Sequence, residues 1–333
     1  MILKKNEIKI ATILPYKESY TVEKASAVSL WISEFFSKSK FKNKNFIYGN
    51  ASSKNYLTKN YINIPLKNLK SKFKSTSKEY IIKISKKISK EKFDIVEVHN
   101  RPLILFELLK RINSKFIMYY HNDPLTMSGS KLVSERKEIL KKVDKLIFIS
   151  KWVEKRFFEN MDNTLKDKTE IIYHSTHKRK KKIKTNQIVF VGKLNHSKGY
   201  DIYKKAIIRI LDEYPDWRAF SLGDERRRNI YINHKNHKEY GFLNHNKTLD
   251  ILDKSEIAVV PSQWEEPFGR VSLEATASGC ATIVSNKGGL LETSKHLVSI
   301  DNIDSEKLYK NIKALIDNNI ERKKIQNLSR NNI

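Results

Sequence analysis

The sequence predicts an α/β protein built from two parallel-sheet domains, and three observations carry that prediction. Residues 257–292 run from a short apolar stretch through a polar loop and an amphipathic helix to a second apolar stretch at 281–284 and a Gly288-Gly289 turn. That is the pattern of a βαβ unit, whose strands are buried on both faces. Residues 8–37 repeat its opening, with an apolar strand at 8–14, a polar loop at 15–21 and a helix at 22–37. The helix carries Ala25, Val28, Ile32, Phe35 and Phe36 at helical spacing. Between the two halves lies KRKKKIKTN at 178–186, charged and poor in apolar residues, which reads as a solvated linker. The expected domains are therefore 1–180 and 187–333, and 333 residues suffice for both.

In the first half, further strands are expected at 46–49, 93–99, 116–120, 143–150 and 171–174. Helices are expected at 80–88, at 130–142 and from 150 onward. The lysine- and serine-rich stretch 57–90 reads as a solvated face, with membrane contact as the second reading. Residues 93–99 and 116–120 end on His99 and His121, so both histidines fall at strand carboxyl ends, where open α/β sheets bind ligands. The loop after the first strand, residues 16–20, has no glycine. Its Lys17 is either a phosphate contact or an exposed loop lysine.

In the second half, a strand at 188–191 is followed by Gly192, Lys193, a loop, Lys198-Gly199 and a helix at 200–213. Gly192 permits the turn, and the two lysines reach one point beside a helix N-terminus, the charge that a pyrophosphate requires. A strand at 217–222 ends in Gly223-Asp224, residues 239–243 precede a helix starting near 246, and a helix at 305–318 gives way to a polar, frayed tail. Within 261–292, Glu266 lies in the loop before a helix at 270–278, and Glu274 lies more than a turn along that helix. Such an arrangement can grip a polyhydroxylated, phosphorylated molecule, with helix-mouth N–H groups on the anion and the carboxylates on hydroxyls. The alternative is an acidic loop before an amphipathic helix. Eight of the ten glycines lie between Gly192 and Gly289, which concentrates backbone approach to a ligand in the second half.

A hydrophobic content of 39% is that of a folded chain, and no apolar run approaches the roughly 20 residues that span a bilayer. Residues 1–16 read as a first strand rather than a signal peptide. The one cysteine, Cys280, excludes an intramolecular disulfide, agrees with a reducing compartment and reads as a small core residue. The net charge of +28 favours anionic partners. Lysine-rich compositional bias, an anionic membrane or acceptor, and nucleic acid are the readings of that charge. No zinc-ligand set or RNA-binding signature accompanies it, so nucleic acid is not expected as a partner.

Glu266-Pro267-Phe268-Gly269, then Glu274, Ala275, Ala277, Ser278-Gly279 and Gly288-Gly289 resemble the signature of family 4 glycosyltransferases. The segment from Val191 to Gly199 is similar to a second motif of that family, with Lys193 where arginine is usual. Lysine there keeps the charge and loses the bidentate fork. Asp144 and Ser150 fall where a third family segment places the same residue types. The resemblance implies the GT-B fold, two Rossmann-like domains facing across a cleft, with the acceptor on the N-terminal domain and the donor on the C-terminal one. It also implies that the last helix can pack back onto the N-terminal domain.

What the resemblance implies for chemistry is transfer of a sugar, with retention, from a UDP- or GDP-sugar to a cell-envelope glycan or glycolipid. Lys193 and Lys198, with Gly192, then hold the diphosphate. Glu274 holds the ribose, Glu266 and the 268–270 backbone orient the donor sugar, and the backbone around Phe242 and Leu243 borders the base. Phe242 as plain core filling is the equal alternative. His121 faces the transferred sugar. No cofactor is expected besides the nucleotide sugar, and no metal, since the chain lacks an Asp-x-Asp triplet. The expected location is cytoplasmic, with peripheral attachment to the inner face of the membrane. The rival readings are a GT-B nucleotide-sugar epimerase and a non-catalytic basic binding protein on a degenerate transferase scaffold.

Overall fold

The computed structural model describes residues 8–66, 76–161, 166–225 and 230–331. The chain divides into two compact units, Met1–His174 and Ser175–Ile333. The first unit contains, in chain order, β1 (Ile10–Ile13), α1 (Ala27–Lys38), β2 (Asn45–Gly49), β3 (Tyr61–Asn63), α2 (Thr76–Ile88), β4 (Ile95–His99), α3 (Pro102–Leu109), β5 (Lys115–Tyr120), α4 (Val133–Lys142), β6 (Lys145–Phe148), α5 (Lys151–Phe157) and β7 (Thr169–Ile171). Its strands form one sheet in the order β3-β2-β1-β4-β5-β6-β7, and every neighbouring pair is parallel. β1 is buried along its whole length, and α1 lays Val28, Trp31, Ile32 and Phe36 into the core beside it. α1 starts later than the apolar spacing suggests because Ser26 caps it, accepting from the Ser29 N–H at 3.2 Å. The short strand β3 and the helix α3 are additions to the sequence expectation. The lysine-rich stretch 57–90 falls in part on residues 67–75, outside the described residues.

The second unit contains β8 (Thr185–Val191), α6 (Tyr200–Glu213), β9 (Arg218–Leu222), β10 (His237–Gly241), α7 (His245–Lys254), β11 (Ser255–Val260), α8 (Arg270–Ala277), β12 (Ala281–Ser285), β13 (Val298–Ile300), α9 (Ser305–Asp317) and α10 (Asn319–Asn331). Its parallel sheet has the order β10-β9-β8-β11-β12-β13. Ile188, Phe190, Ile257, Val259 and Ile283 from the central strands pack with Tyr203, Ile207 and Ile210 of α6 and Leu308 and Ile312 of α9. No helix among the described residues is long and apolar enough to cross a membrane.

Two sequence expectations are corrected here. The basic run 178–186 is not a free linker. Arg179 grips Asp253 through Nε at 3.2 Å and Nη2 at 2.8 Å, and Lys182 reaches Asp250 at 3.1 Å. Lys184 donates to the carbonyls of Leu252, Ser255 and Ser278. Burial pushes the Asp253 carboxyl up, but the hydrogen bonds from Arg179 and Lys182 outweigh it and hold the group below its ordinary value. The division between units accordingly falls before the run, at His174 and Ser175.

The second correction concerns the tail, which is a helix and not a frayed end. α10 packs against α8, α9 and β12 of its own unit. Its inward face is polar, which is why apolar spacing missed it. Buried Arg322 and Gln326 both donate to Glu256 Oε2, at 3.3 and 2.6 Å. Removing one partner of a buried pair strands the other. Glu256→Ala is therefore expected to destabilise the protein by about 3 kcal/mol, read as a shift in the urea midpoint, and an unchanged midpoint would refute the anchoring role of this carboxylate.

Candidate active site

In the second unit the strand order reverses between β8 and β11, so the loop after β8 lies beside the loop after β11. The two loops meet backbone to backbone. Gly199 has φ +69°, and a Cβ there would sit 1.9 Å from the Pro261 carbonyl oxygen, so no other residue fits. The Ser197 carbonyl accepts from the N–H groups of Gln263 and Trp264, each at 3.0 Å. This contact brings the Lys198 ammonium onto Glu266 Oε1 in an ion pair, and the Ser262 hydroxyl donates to the same oxygen at 2.8 Å.

Glu266 is also held from the β12 side. Gly289 N–H donates to its carbonyl at 2.6 Å, and a Cβ on Gly288, whose φ is +62°, would lie 2.1 Å from that oxygen. The glycine turn thus exists to let one stretch of protein backbone close on another, whereas the sequence reading had it open to a ligand.

α8 begins at Arg270, after Gly269 and the buried Phe268. One turn along, Glu274 is buried and accepts from Arg270 Nε at 2.6 Å and from His245 Nε2 at 2.8 Å. Burial pushes its carboxyl up, and the His245 hydrogen bond with the Arg270 charge more than reverses that, leaving it below the ordinary value. Glu274 is therefore a fixed anion. Lys193 is exposed. Phe242 is 61% exposed, which removes the core-filling alternative for it, whereas Leu243 packs against the cluster of Val189, Phe220 and Leu249.

In the first unit the two strand-end histidines are joined by a third. His99 Nδ1 lies 2.8 Å from His121 Nε2, and His121 Nδ1 lies 3.3 Å from His174 Nε2, all three rings being buried. Trp31 stands edge-on to His121 and stacks on His174, and His99 stacks on Tyr119. Burial drives His121 down to about 3, and burial with the neighbouring His121 ring drives His99 well below its ordinary value. The His99 and His121 rings are therefore neutral hydrogen-bonding groups at physiological pH. His121 also takes the Asn100 side-chain oxygen on its backbone N–H at 2.7 Å.

Residues 174–332 match the family described as glycosyl transferases group 1. The match spans nearly the whole second unit. YtcC of Bacillus subtilis, which carries an assignment as a glycosyltransferase, is 26% identical over 67% of this chain and 62% of its own length. Spore coat protein SA of the same organism is 26% identical over 74% of this chain and 75% of its own. The chain thus spans less than two thirds of the first relative and three quarters of the second. Among solved structures, Anabaena HepE in complex with UDP-glucose superposes with a TM-score of 0.75 at 14% identity, covering 97% of this chain and 93% of that one. WaaG, a glycosyltransferase involved in lipopolysaccharide biosynthesis, superposes with a TM-score of 0.71 at 13% identity, covering 97% and 94%. At such identities the likeness is one of fold, and that fold is GT-B.

Of the residues the sequence singled out, the second unit brings Lys198 and Glu266 into contact and sets Glu274 on the helix that starts at the same loop. His121 belongs to the other unit. Sequence reasoning missed Ser262 and His245, the residues that position Glu266 and Glu274. The available signal for His245 was its place at the start of α7, directly after the capping Asn244. It also missed His174, which it assigned to a strand that ends at Ile171.

The histidine cluster makes stability depend on pH. The folded pKa of His121 lies far below 6.5, so below that pH the unfolded chain takes up a proton that the folded chain refuses. Its contribution is complete above about 6.5 and falls with pH toward the folded value, by about 1.4 kcal/mol per pH unit for each such histidine. Urea midpoints are expected to drop between pH 7.5 and 5.5 in the wild type, and less so in His121→Gln. Equal pH slopes for the two proteins would contradict this account.

Proposed function

We propose that this chain transfers a sugar, with retention of configuration and without a metal, from a nucleotide-sugar donor to a cell-envelope glycan or glycolipid. The observation that carries the reading is the contact of Lys198 with Glu266 at the strand-order reversal of a group 1 domain, beside the start of α8. HepE, of the same fold, is a complex with UDP-glucose, which favours UDP as the donor nucleotide.

In this mechanism Lys198 and Lys193 neutralise the charge that gathers on the departing diphosphate, with the α8 N-terminus adding its positive end. Glu266, already fixed through both its side chain and its backbone, accepts from a hydroxyl of the transferred sugar. Glu274, fixed by Arg270 and His245, takes the ribose hydroxyls, while exposed Phe242 and neighbouring Leu243 border the base. The bond from the anomeric carbon to the diphosphate breaks as the acceptor oxygen bonds on the same face, and the acceptor proton passes to the leaving phosphate. His121, neutral down to about pH 3 and engaged through both ring nitrogens by His99 and His174, supplies no proton.

The lysine-rich surface suits attachment to an anionic cytoplasmic membrane face. Co-sedimentation with vesicles containing phosphatidylglycerol, but not with neutral vesicles, is the outcome that reading requires. A non-catalytic basic binding protein would instead show affinity set by salt alone.

A thermal-shift panel of UDP-, GDP-, ADP- and TDP-sugars tests the donor site, because a ligand of the folded state raises Tm by linkage. One nucleotide class is expected to raise Tm in the wild type and not in Lys198→Ala. Transfer by that variant should fall about 10²–10³-fold, the usual effect of removing one group that stabilises developing charge. No shift with any of the four would sink the transferase reading, and release of an epimer or free sugar without acceptor would favour the epimerase.

A further inference from the structure

The first unit has its own strand-order reversal, between β1 and β4. A cleft of about 360 Å³ opens there, lined by Tyr16 and Lys17 after β1, Asn100 and Arg101 after β4, and Asn122 after β5, with the first turn of α3 as a wall. Among the described residues, two cations line it and no carboxylate does.

Asn100 is the decisive residue. It is 1% exposed, sits at φ +53°, and spends its side-chain oxygen on the His121 N–H. Its Nδ2 is buried with no hydrogen-bond partner. An unmatched buried donor is costly, of the order of 1–3 kcal/mol, unless a ligand oxygen completes it. Arg101 is braced by donating from Nη1 to the Asn100 carbonyl at 2.7 Å, and it stands at the N-terminus of α3, where the helix presents its positive end. The carboxylate that acts on Arg101 is Glu18, whose Oε2 is taken by the Ser26 hydroxyl. The cleft therefore offers positive charge for an anion beside hydroxyl and amide groups of Tyr16, Ser77, Asn122 and Thr126 that suit a sugar, so a sugar bearing an anionic group fits it better than a neutral one. An adjoining cleft of about 550 Å³ shares Tyr16 and Lys17 and, among the described residues, is otherwise lined by uncharged ones such as Ser19, Asn50 and Ser52, which suits sugar hydroxyls.

We propose that the acceptor of this chain is a phosphorylated glycan, whose phosphate sits in the β1/β4 cleft on Asn100 Nδ2, Arg101 and Lys17. The word acceptor rests on the transferase reading above, whereas the anion chemistry of the cleft stands without it.

Calorimetric titration of the full chain with glucose 6-phosphate and with glucose tests the assignment. Glucose 6-phosphate is expected to bind at least tenfold more tightly than glucose. Arg101→Gln and the exposed-loop variant Lys17→Gln should each weaken it about tenfold, and Lys198→Gln should leave it unchanged. Failure of glucose 6-phosphate to bind, equal binding of both sugars, or loss in Lys198→Gln alone would overturn the proposal. Binding of UDP to Arg101→Gln, measured alongside, separates the two readings. If no protein binds UDP while the phosphate preference persists, the transferase reading fails and the anion cleft survives. Arg101-dependent sedimentation with phosphatidylglycerol vesicles, in the absence of glucose 6-phosphate binding, would move the phosphate to a lipid headgroup and overturn the glycan source.

Discussion

Both halves of this chain depend on one topological constraint. Each parallel sheet starts with a central strand, grows outward to one side and then returns to grow on the other. Connections on the two sides of that strand leave in opposite directions, so the loops at their carboxyl ends part and leave a crevice. In the second unit the crevice receives Lys198 from one loop and Glu266 from the other; in the first it receives Lys17 from one and Asn100 with Arg101 from the other. The chemistry of the two crevices differs because the residues delivered to them differ. The geometry that delivers them is the same.

In the second unit, opposed forces hold a carboxylate and an ammonium close together at a place suited to an anion. The Lys198–Glu266 pair orients both partners, and the Ser262 hydroxyl and the Gly289 N–H hold Glu266 in place. In the proposed reaction a diphosphate would share Lys198 with Glu266, and little reorganisation would be required. Glu274 follows the same logic at greater depth, since Arg270 and His245 outweigh the burial that would otherwise protonate it. The first unit solves the opposite problem. His99 and His121 are buried ring against ring, and burial holds both below the ordinary histidine value, so they meet its cost by giving up charge. The second unit thus fixes a buried anion, whereas the histidine pair of the first is uncharged.

Much of this was legible along the chain. The apolar runs located β1, β4, β5, β8, β11 and β12, because a strand buried on both faces leaves a signal that polar residues cannot blur. The spacing from Glu266 to Glu274 and from Lys193 to Lys198 located the candidate site, since each pair lies within one loop-and-helix segment. What failed had a common cause. α10 shows its neighbours Arg322 and Gln326, and the run at 178–186 shows Asp250 and Asp253 its lysines and Arg179; both looked solvated because polar residues read as surface until their partners are known.

The sequence by itself determined the strand and helix order, the two-domain α/β class and the residue types at the strand ends, because these follow from local periodicity. Only the tertiary structure decided which strand ends lie side by side. That step assigned Gly288 to the Glu266 backbone, His245 to Glu274 and the unpartnered Asn100 amide to a cleft with Arg101, since each contact joins residues whose separation along the chain carries no periodic signal.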